Sequence, residues 1–150
     1  MQSAMLLAAL MAQGPAAEVT GALSPVTAMG ANVTYITADS VAAGFARGAV
    51  LVNQADYMIH ASRRTAPGKV EIHDKDTDLI YMLEGEATFV TGGRLLDGAI
   101  TAADEVRGTQ LEGGTTRVLR KGDVCVVPNG VPHWFKEVKG PVLYYVVKVR

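Results

Sequence analysis

The residues best suited to chemistry in this sequence are an imidazole and two carboxylates within the segment KVEIHDKDTDLIYMLEG. Glu71 and His73 are two positions apart in a stretch with the composition of a β-strand, so their side chains leave the same face. A polar turn over 74–77 follows, and a hairpin there can bring Asp78 over that face. Such a set suits Zn²⁺, Mn²⁺, Ni²⁺ or Fe²⁺. The alternative is a solvated acidic turn whose carboxylates never meet.

A second group of polar residues follows in the segment GDVCVVPNGVPHWFKEV. His133 opens a predicted strand and shares one face with Phe135 and Glu137, which makes Phe135 a candidate substrate contact and Glu137 a candidate general base or extra ligand. The alternatives are a structural histidine and an exposed glutamate. His60, in YMIHAS, either lines the same cavity or is a plain strand histidine. Cys125 is predicted to be an inert core residue.

A sheet is needed to bring these residues together, and the chain from residue 49 onward predicts one. Short runs rich in Val, Ile, Tyr and Leu recur between Pro-Gly, Gly-Gly and Asn-Gly turns, and 11 of the 16 glycines lie in residues 68–140. This pattern is typical of an all-β sandwich or barrel, most simply a jelly roll. The predicted strands are AVLVN, YMIHAS, KVEIH, LIYMLEG, ATFVTGG, TRVLR, DVCVVP, HWFKEV and VLYYVVKV.

The spacing around His133 resembles the second motif of the cupin family. That motif is Gly, five residues, Pro-x-Gly, two residues, His, three residues and Asn. Gly122, Pro128, Gly130 and His133 all stand at the family's positions, and only Glu137 departs, because Asn is usual there. The first motif is Gly, five residues, His-x-His, three or four residues, Glu, six residues and Gly.

The first motif is matched in outline. Counting back from Gly85 puts Asp78 at the family's Glu, His73 at its second His and Glu71 at its first His. The resemblance implies a small single-domain cupin with a degenerate first motif. Its fold would be a double-stranded β-helix, or jelly-roll barrel, with an N-terminal arm. Within the segment between the motifs, 86–121, residues 92–114 would then form an elaborated loop at one mouth of the barrel, with their charged side chains on a solvated surface.

The resemblance also implies one divalent metal ion inside the barrel, held by Glu71, His73, Asp78 and His133. Two carboxylates and two imidazoles would favour Mn²⁺ or Fe²⁺ over Cu²⁺, with Zn²⁺ and Ni²⁺ also open. The implied function is a metal-dependent enzyme acting on a small organic molecule, as a dioxygenase, lyase or isomerase. The alternative is a non-catalytic cupin that binds a small ligand or sugar without an essential metal. Cupins often form homodimers, and the run VLYYVVKV is a candidate edge strand for pairing.

The charges are distributed unevenly along the 150 residues. Glu18 is the single charged side chain before Asp39, and a nine-residue apolar run, 4–12, is too short to span a bilayer but long enough for a secretory signal. We therefore expect residues 1–38 to be a signal-like or arm segment and 39–150 one barrel domain. Export to the periplasm is favoured over a cytoplasmic protein that retains the arm. A net charge of −1 argues against a nucleic-acid partner.

One helix is predicted between the arm and the barrel. Asp39 and Ser40 are suitable N-cap residues before the run VAAGFAR, and Gly48 is a suitable stop. The sequence therefore predicts a short helix that ends immediately before the first strand.

Overall fold

The computed structural model describes residues 33–150, so most of the signal-like or arm segment lies outside the described residues. This part of the chain contains one helix, α1 (Ala38–Arg47), which is neither long nor apolar enough to cross a membrane. The strands are β1 (Ala49–Asn53), β2 (Tyr57–Arg64), β3 (Val70–His73), β4 (Thr77–Thr91), β5 (Arg94–Leu95), β6 (Ala99–Ala102), β7 (Glu105–Gly108), β8 (Leu111–Glu112), β9 (Thr115–Arg120), β10 (Val124–Val127) and β11 (His133–Val149). The prediction of an all-β domain is confirmed.

Helix α1 begins earlier than the sequence pattern indicates. Its N-cap is Thr37, whose Oγ1 accepts a hydrogen bond from the Ser40 backbone N–H at 3.3 Å. Asp39 therefore lies in the first turn, where its negative charge faces the positive end of the helix dipole. Gly48 does end the helix, with φ of 72°. The predicted cap at Asp39 or Ser40 was wrong because both residues already belong to the helix.

Two long strands, β4 and β11, form the centre of the sheet. Each was predicted as two shorter strands separated by glycine, but each continues through its glycine and pairs antiparallel with the other. Residues 142–149 of β11 also pair with β2 on their other side. The interpretation of VLYYVVKV as a free edge strand was therefore wrong, since both of its edges are hydrogen-bonded.

The segment between the motifs is more ordered than a mouth loop. Its strand β7 pairs antiparallel with β3, and β6 extends the sheet beyond β7. The short strands β5 and β8 form a separate two-stranded sheet. The prediction of an elaborated solvated loop was therefore wrong for residues 105–108, because they are a partner strand of β3.

The core lies between the curled layers of the sheet. Its members are buried apolar side chains, mostly from β4 and β11, and they include Ile80, Met82, Ala87, Phe89, Leu119, Val127, Phe135, Val142, Tyr144 and Val146. On β4 the buried positions change from even numbers to odd numbers between Met82 and Ala87. The strand therefore bends around residue 85, which keeps both of its halves against one core.

Gly85 makes this bend possible. Its φ is 83°, and a Cβ atom there would lie 2.5 Å from the Pro141 carbonyl oxygen and 3.1 Å from the Val142 Cα. Any side chain would thus meet backbone atoms of β11, which the flanking pairs of Lys139 with Glu86 and Leu143 with Glu84 hold in place.

We expect Gly85→Ala to lower the free energy of unfolding by about 2 kcal/mol, since it combines a strained left-handed backbone with a backbone clash. Gly122→Ala is the matched control, because Gly122 has φ of 91° but open space where the added methyl group would lie. Urea unfolding of both variants separates the two contributions. Equal losses would show that the close approach to β11 contributes nothing.

Candidate metal centre

Strand pairing places the candidate ligands side by side. Strand β3 lies between β11 and β7, so that Glu71 faces His133 across one edge and Arg107 across the other. His73, two positions further along β3, faces Glu105. Asp78 comes from the start of β4, immediately after the turn that follows β3. Strands β3 and β4 do not pair with each other, so the hairpin expected from the sequence was wrong. Each instead pairs with a different part of β11, and this brings the first-motif residues to one place.

The four side chains converge on one small volume. The Nε2 atom of His73 lies 3.7 Å from Glu71 Oε2 and 3.5 Å from Asp78 Oδ2. The Nε2 atom of His133 lies 4.0 Å from the same Glu71 oxygen and 3.7 Å from the same Asp78 oxygen. The potential ligand atoms of Glu71, His73 and His133 all lie within 4.8 Å of one another. These separations are suitable for donors that share one central ion.

Burial makes the arrangement costly without such an ion. His73, Asp78 and His133 are each no more than 6% exposed. The Nε2 atom of His73 is buried and has no hydrogen-bond partner in residues 33–150. A buried polar atom without a partner costs about 1–3 kcal/mol, and most such atoms in folded proteins are satisfied. A divalent cation among the four side chains would satisfy this nitrogen and both carboxylates together.

The tautomer of His133 points the same way. Its Nδ1 donates a hydrogen bond to the Val131 carbonyl oxygen at 3.2 Å, so in the neutral ring the lone pair is on Nε2. Burial lowers the pKa of His133 below its ordinary value, despite the opposing effects of the Val131 carbonyl and of Asp78. The neutral imidazole therefore presents a lone pair toward two carboxylate oxygens, an arrangement that a metal ion makes favourable.

Lys148 is a site residue that the sequence interpretation missed. Its Nζ donates a hydrogen bond to Asp78 Oδ1 at 2.7 Å and lies 3.6 Å from Asp76 Oδ2. The oxygen of Asp78 that Lys148 does not bind is the one that faces the two imidazoles. Lys148 thus orients this carboxylate. Finding it required the register that pairs Lys148 with Asp78 across β11 and β4.

Glu105 and Arg107 were predicted to be part of a solvated surface, and the structure shows them beside the site instead. Glu105 Oε2 lies 3.8 Å from His73 Nδ1, and Arg107 lies 3.5 Å from Glu71 Oε1. Burial raises the pKa of Glu105, but hydrogen bonds from Arg107 and Thr101 outweigh this effect and hold the pKa below its ordinary value. A negatively charged Glu105 therefore faces the outer nitrogen of His73.

Glu137 does not join this group. A β-bulge between Phe135 and Glu137 interrupts the pairing of β11 with β4, so the two residues no longer share a face. Phe135 is buried, whereas Glu137 is exposed and accepts a hydrogen bond from Thr88 Oγ1 at 3.3 Å. The position of Glu137 argues against the predicted role as general base or extra ligand.

The two predicted substrate contacts lie in different surroundings. His60 lines a cavity of about 270 Å³ together with Glu71, His73 and Asp78, and its Nδ1 is 2.8 Å from Ser62 Oγ. Phe135 packs within the core, with ring centres 4.7 Å from Phe89 and 4.7 Å from Tyr144. The structure therefore puts His60 on the cavity wall, whereas Phe135 belongs to the core and is not among the residues that line the cavity.

The sequence model of the cupin family matches residues 57–149, which include every strand that contributes to this site. The chain belongs to the cupin family. A comparison with curated protein sequences finds no match to this cupin. Its family membership therefore rests on the family model and on the fold.

Solved structures show the same fold at low sequence identity. BH2720 from Bacillus halodurans has a TM-score of 0.55 and 13% identity, over 77% of this cupin and 80% of that chain. KdgF from Halomonas sp. has a TM-score of 0.50 and 16% identity, over 68% and 76%. The hydroquinone 1,2-dioxygenase of Sphingomonas sp. TTNP3 has a TM-score of 0.50 and 13% identity, over 65% and 62%. The expected double-stranded β-helix is thereby confirmed, and function is not transferred at these identities.

Proposed function

We propose that this cupin binds one divalent metal ion through Glu71, His73, Asp78 and His133 and uses it to transform a small organic molecule. The observation that carries the proposal is the buried, unpartnered Nε2 of His73, which faces two carboxylates and lies beside the neutral imidazole of His133. That nitrogen has no hydrogen-bond partner within residues 33–150, whereas a cation would satisfy all four groups.

The donor set favours a hard or borderline ion. Two carboxylates offset the charge of a divalent cation, so Mn²⁺ or Fe²⁺ suits the site, with Zn²⁺ and Ni²⁺ as further candidates. When bound, the ion supplies a Lewis acid and positions open to water, O₂ or substrate. The chain itself supplies orientation: Lys148 holds one oxygen of Asp78, and the Val131 carbonyl holds the ring of His133.

The cavity beside the four residues sets the size of the substrate. At about 270 Å³ it lies just below the usual range for ligand pockets, so it suits a small organic molecule. His60, on the cavity wall, is proposed as a substrate contact. The reaction is of the dioxygenase, lyase or isomerase type. The same fold in a hydroquinone 1,2-dioxygenase makes an oxygen-consumption screen the first assay.

The alternative function is binding of a small ligand or sugar without an essential metal. The same cavity supports this function as well as it supports catalysis. Metal content separates the two, because the alternative predicts a correctly folded protein that holds no stoichiometric ion.

We expect untagged protein grown in metal-supplemented medium to carry about one equivalent of divalent metal, and His73→Ala or His133→Ala to carry less than about a tenth, since each loses an imidazole donor. Elemental analysis after gel filtration measures this content. His60→Ala is the matched control, because His60 bonds Ser62 and lies outside the four-residue set. A metal-free wild type, or equal content in all three variants, would refute the metal site.

Two further parts of the proposal concern assembly and location. A homodimer is supported by exposed apolar side chains paired across β10 and β4, Val124 with Tyr81 and Val126 with Leu79. Sedimentation of the wild type and of Val126→Lys tests this surface.

Export is a prediction from residues 1–17, and N-terminal sequencing of protein from the native host tests it.

A further inference from the structure

We propose that Arg64 binds the carboxylate group of a small organic acid inside the barrel, an inference about substrate class that rests on the function proposed above. Arg64 lines the same cavity of about 270 Å³ as Glu71, His73 and Asp78. A ligand held by its guanidinium group therefore lies in the cavity that three of the four proposed metal ligands line.

The guanidinium group of Arg64 is held in place on three sides. Its Nε donates a hydrogen bond to Tyr144 Oη at 3.3 Å, and its Cζ lies 5.0 Å from the centre of the Phe135 ring. Gly68 closes the third side, because a Cβ atom there would lie 2.5 Å from Arg64 Nη1. Stacking on an aromatic ring and close packing fix the plane of the group before a ligand arrives. A preorganised arginine loses little entropy on binding.

Arg64 differs from Arg107 and Lys148, two other cations of the cavity wall, in lacking an acidic partner. Arg107 Nε bonds Glu105 at 2.8 Å, and Lys148 Nζ bonds Asp78 at 2.7 Å. Among residues 33–150, no carboxylate lies within 4.0 Å of the Arg64 guanidinium, and its Nη1 and Nη2 make no protein hydrogen bond. Two parallel N–H donors left free in this way match the two oxygens of a carboxylate.

The charges of the cavity favour an anion. Three carboxylates and three cations of the wall cancel one another, namely Glu71, Asp78, Glu105, Arg64, Arg107 and Lys148. The proposed divalent ion would therefore leave a net positive charge, to which the exposed Arg63 at the same wall adds. The rest of the lining combines the polar His60 and Ser62 with Met58, Val146 and the ring of Tyr144, which offer an organic acid apolar contacts that inorganic phosphate cannot use.

Benzoate and benzamide are the probes, because they share shape and differ in charge. Trp134, the single tryptophan, is the reporter: its Nε1 donates to the Gly68 carbonyl oxygen at 2.8 Å, and Gly68 contacts Arg64. Fluorescence titrations are made on protein treated with chelator and on protein supplied with Mn²⁺. We expect benzoate to bind at least about tenfold more tightly than benzamide in chelator-treated protein, as a charge-assisted bidentate pair requires.

The variants assign this preference to one side chain. Arg64→Gln should remove the preference for benzoate, and Arg64→Lys should retain only part of it because an ammonium group cannot bind in a bidentate fashion. Arg47→Gln, an equal change in charge on the exposed end of α1, should retain it fully. Circular dichroism checks folding. If Arg64→Gln does not fold, the comparison of Arg64→Lys with the wild type decides.

Two results would overturn the assignment: equal affinities for benzoate and benzamide in the wild type, or an undiminished preference in folded Arg64→Gln or Arg64→Lys. Failure of the metal proposal is a separate outcome. In that case Mn²⁺ would not bind, yet the preference for benzoate in chelator-treated protein would persist.

Discussion

Lys148→Met is expected to lower the free energy of unfolding of the metal-free protein by about 3 kcal/mol, because it leaves the buried carboxylate of Asp78 without its cation. The Lys148 side chain is 18% exposed and that of Asp78 6% exposed, so solvent cannot take over the lost hydrogen bond. Methionine has nearly the same length, so packing along β11 is retained. Urea unfolding in the presence of chelator measures the loss.

Lys139→Met is the matched control for this prediction. Lys139 Nζ lies 2.6 Å from Glu86 Oε1, a separation as short as that of the buried pair, but its side chain is 77% exposed. Solvent screens such a pair, and we expect the free energy of unfolding of Lys139→Met to stay close to that of the wild type. Similar losses in the two variants would show that burial is not the cause.

The Lys148→Met variant also tests whether Asp78 is a metal ligand. If an ion binds Asp78, it supplies positive charge beside the carboxylate that Lys148 no longer neutralises. The destabilisation seen with chelator should therefore shrink when Mn²⁺ is supplied, because without Lys148 the Asp78 carboxylate gains more from the ion and the variant binds Mn²⁺ more tightly than the wild type does. A loss of the same size with and without Mn²⁺ would argue that Asp78 is not a ligand.

Phe89→Ala is expected to lower the free energy of unfolding by about 3–5 kcal/mol, the usual cost of removing a fully buried aromatic ring. Phe89 is 0% exposed, and its ring centre lies 4.7 Å from that of Phe135 and 6.1 Å from that of His133. The loss is a large share of the roughly 5–15 kcal/mol that is typical of a domain. Chemical unfolding in chelator measures it.

Phe89→Leu controls for the chemistry of the change, because it keeps an apolar side chain and most of the volume. Its cost should be about 1.5 kcal/mol or less. Since Phe89 packs against the ring of His133, Phe89→Ala should also weaken metal binding more than Phe89→Leu does. A Phe89→Ala loss below about 1 kcal/mol would contradict the view that this ring anchors the core beneath the site.

Local patterns in the chain were sufficient for only part of the proposed ligand set. Glu71 and His73 share a face by strand alternation, but Asp78 joins them because β3 and β4 each pair with β11, not through the expected hairpin. His133 is sixty residues away from His73, and only the resemblance to the second cupin motif associated it with them. The pairing of β11 with β3 supplies the physical link, since it sets His133 opposite Glu71.

The prediction of which face a side chain occupies, made from strand alternation, was wrong where strand β11 is irregular. Phe135 and Glu137 were expected on one face, but a bulge between them shifts the register and leaves Glu137 exposed. A bulge depends on the pairing register of two strands that are far apart in the chain, so the segment HWFKEV alone does not predict it. The same limit applies to Gly85, where the sequence indicated the end of a strand and the structure has a bend within one.

By itself, the sequence determined the all-β class and the cupin resemblance, because these depend on periodicity and spacing over short stretches of chain. It proposed the first-motif cluster but left a solvated turn as the alternative. The tertiary structure alone decided which charged residues surround that cluster. Glu105 and Arg107 reach it through the pairing of β7 with β3, Lys148 through the register of β11 against β4, and Arg64 through a shared cavity. Each of these placements depends on pairing or packing between residues far apart in the chain, which local patterns do not encode.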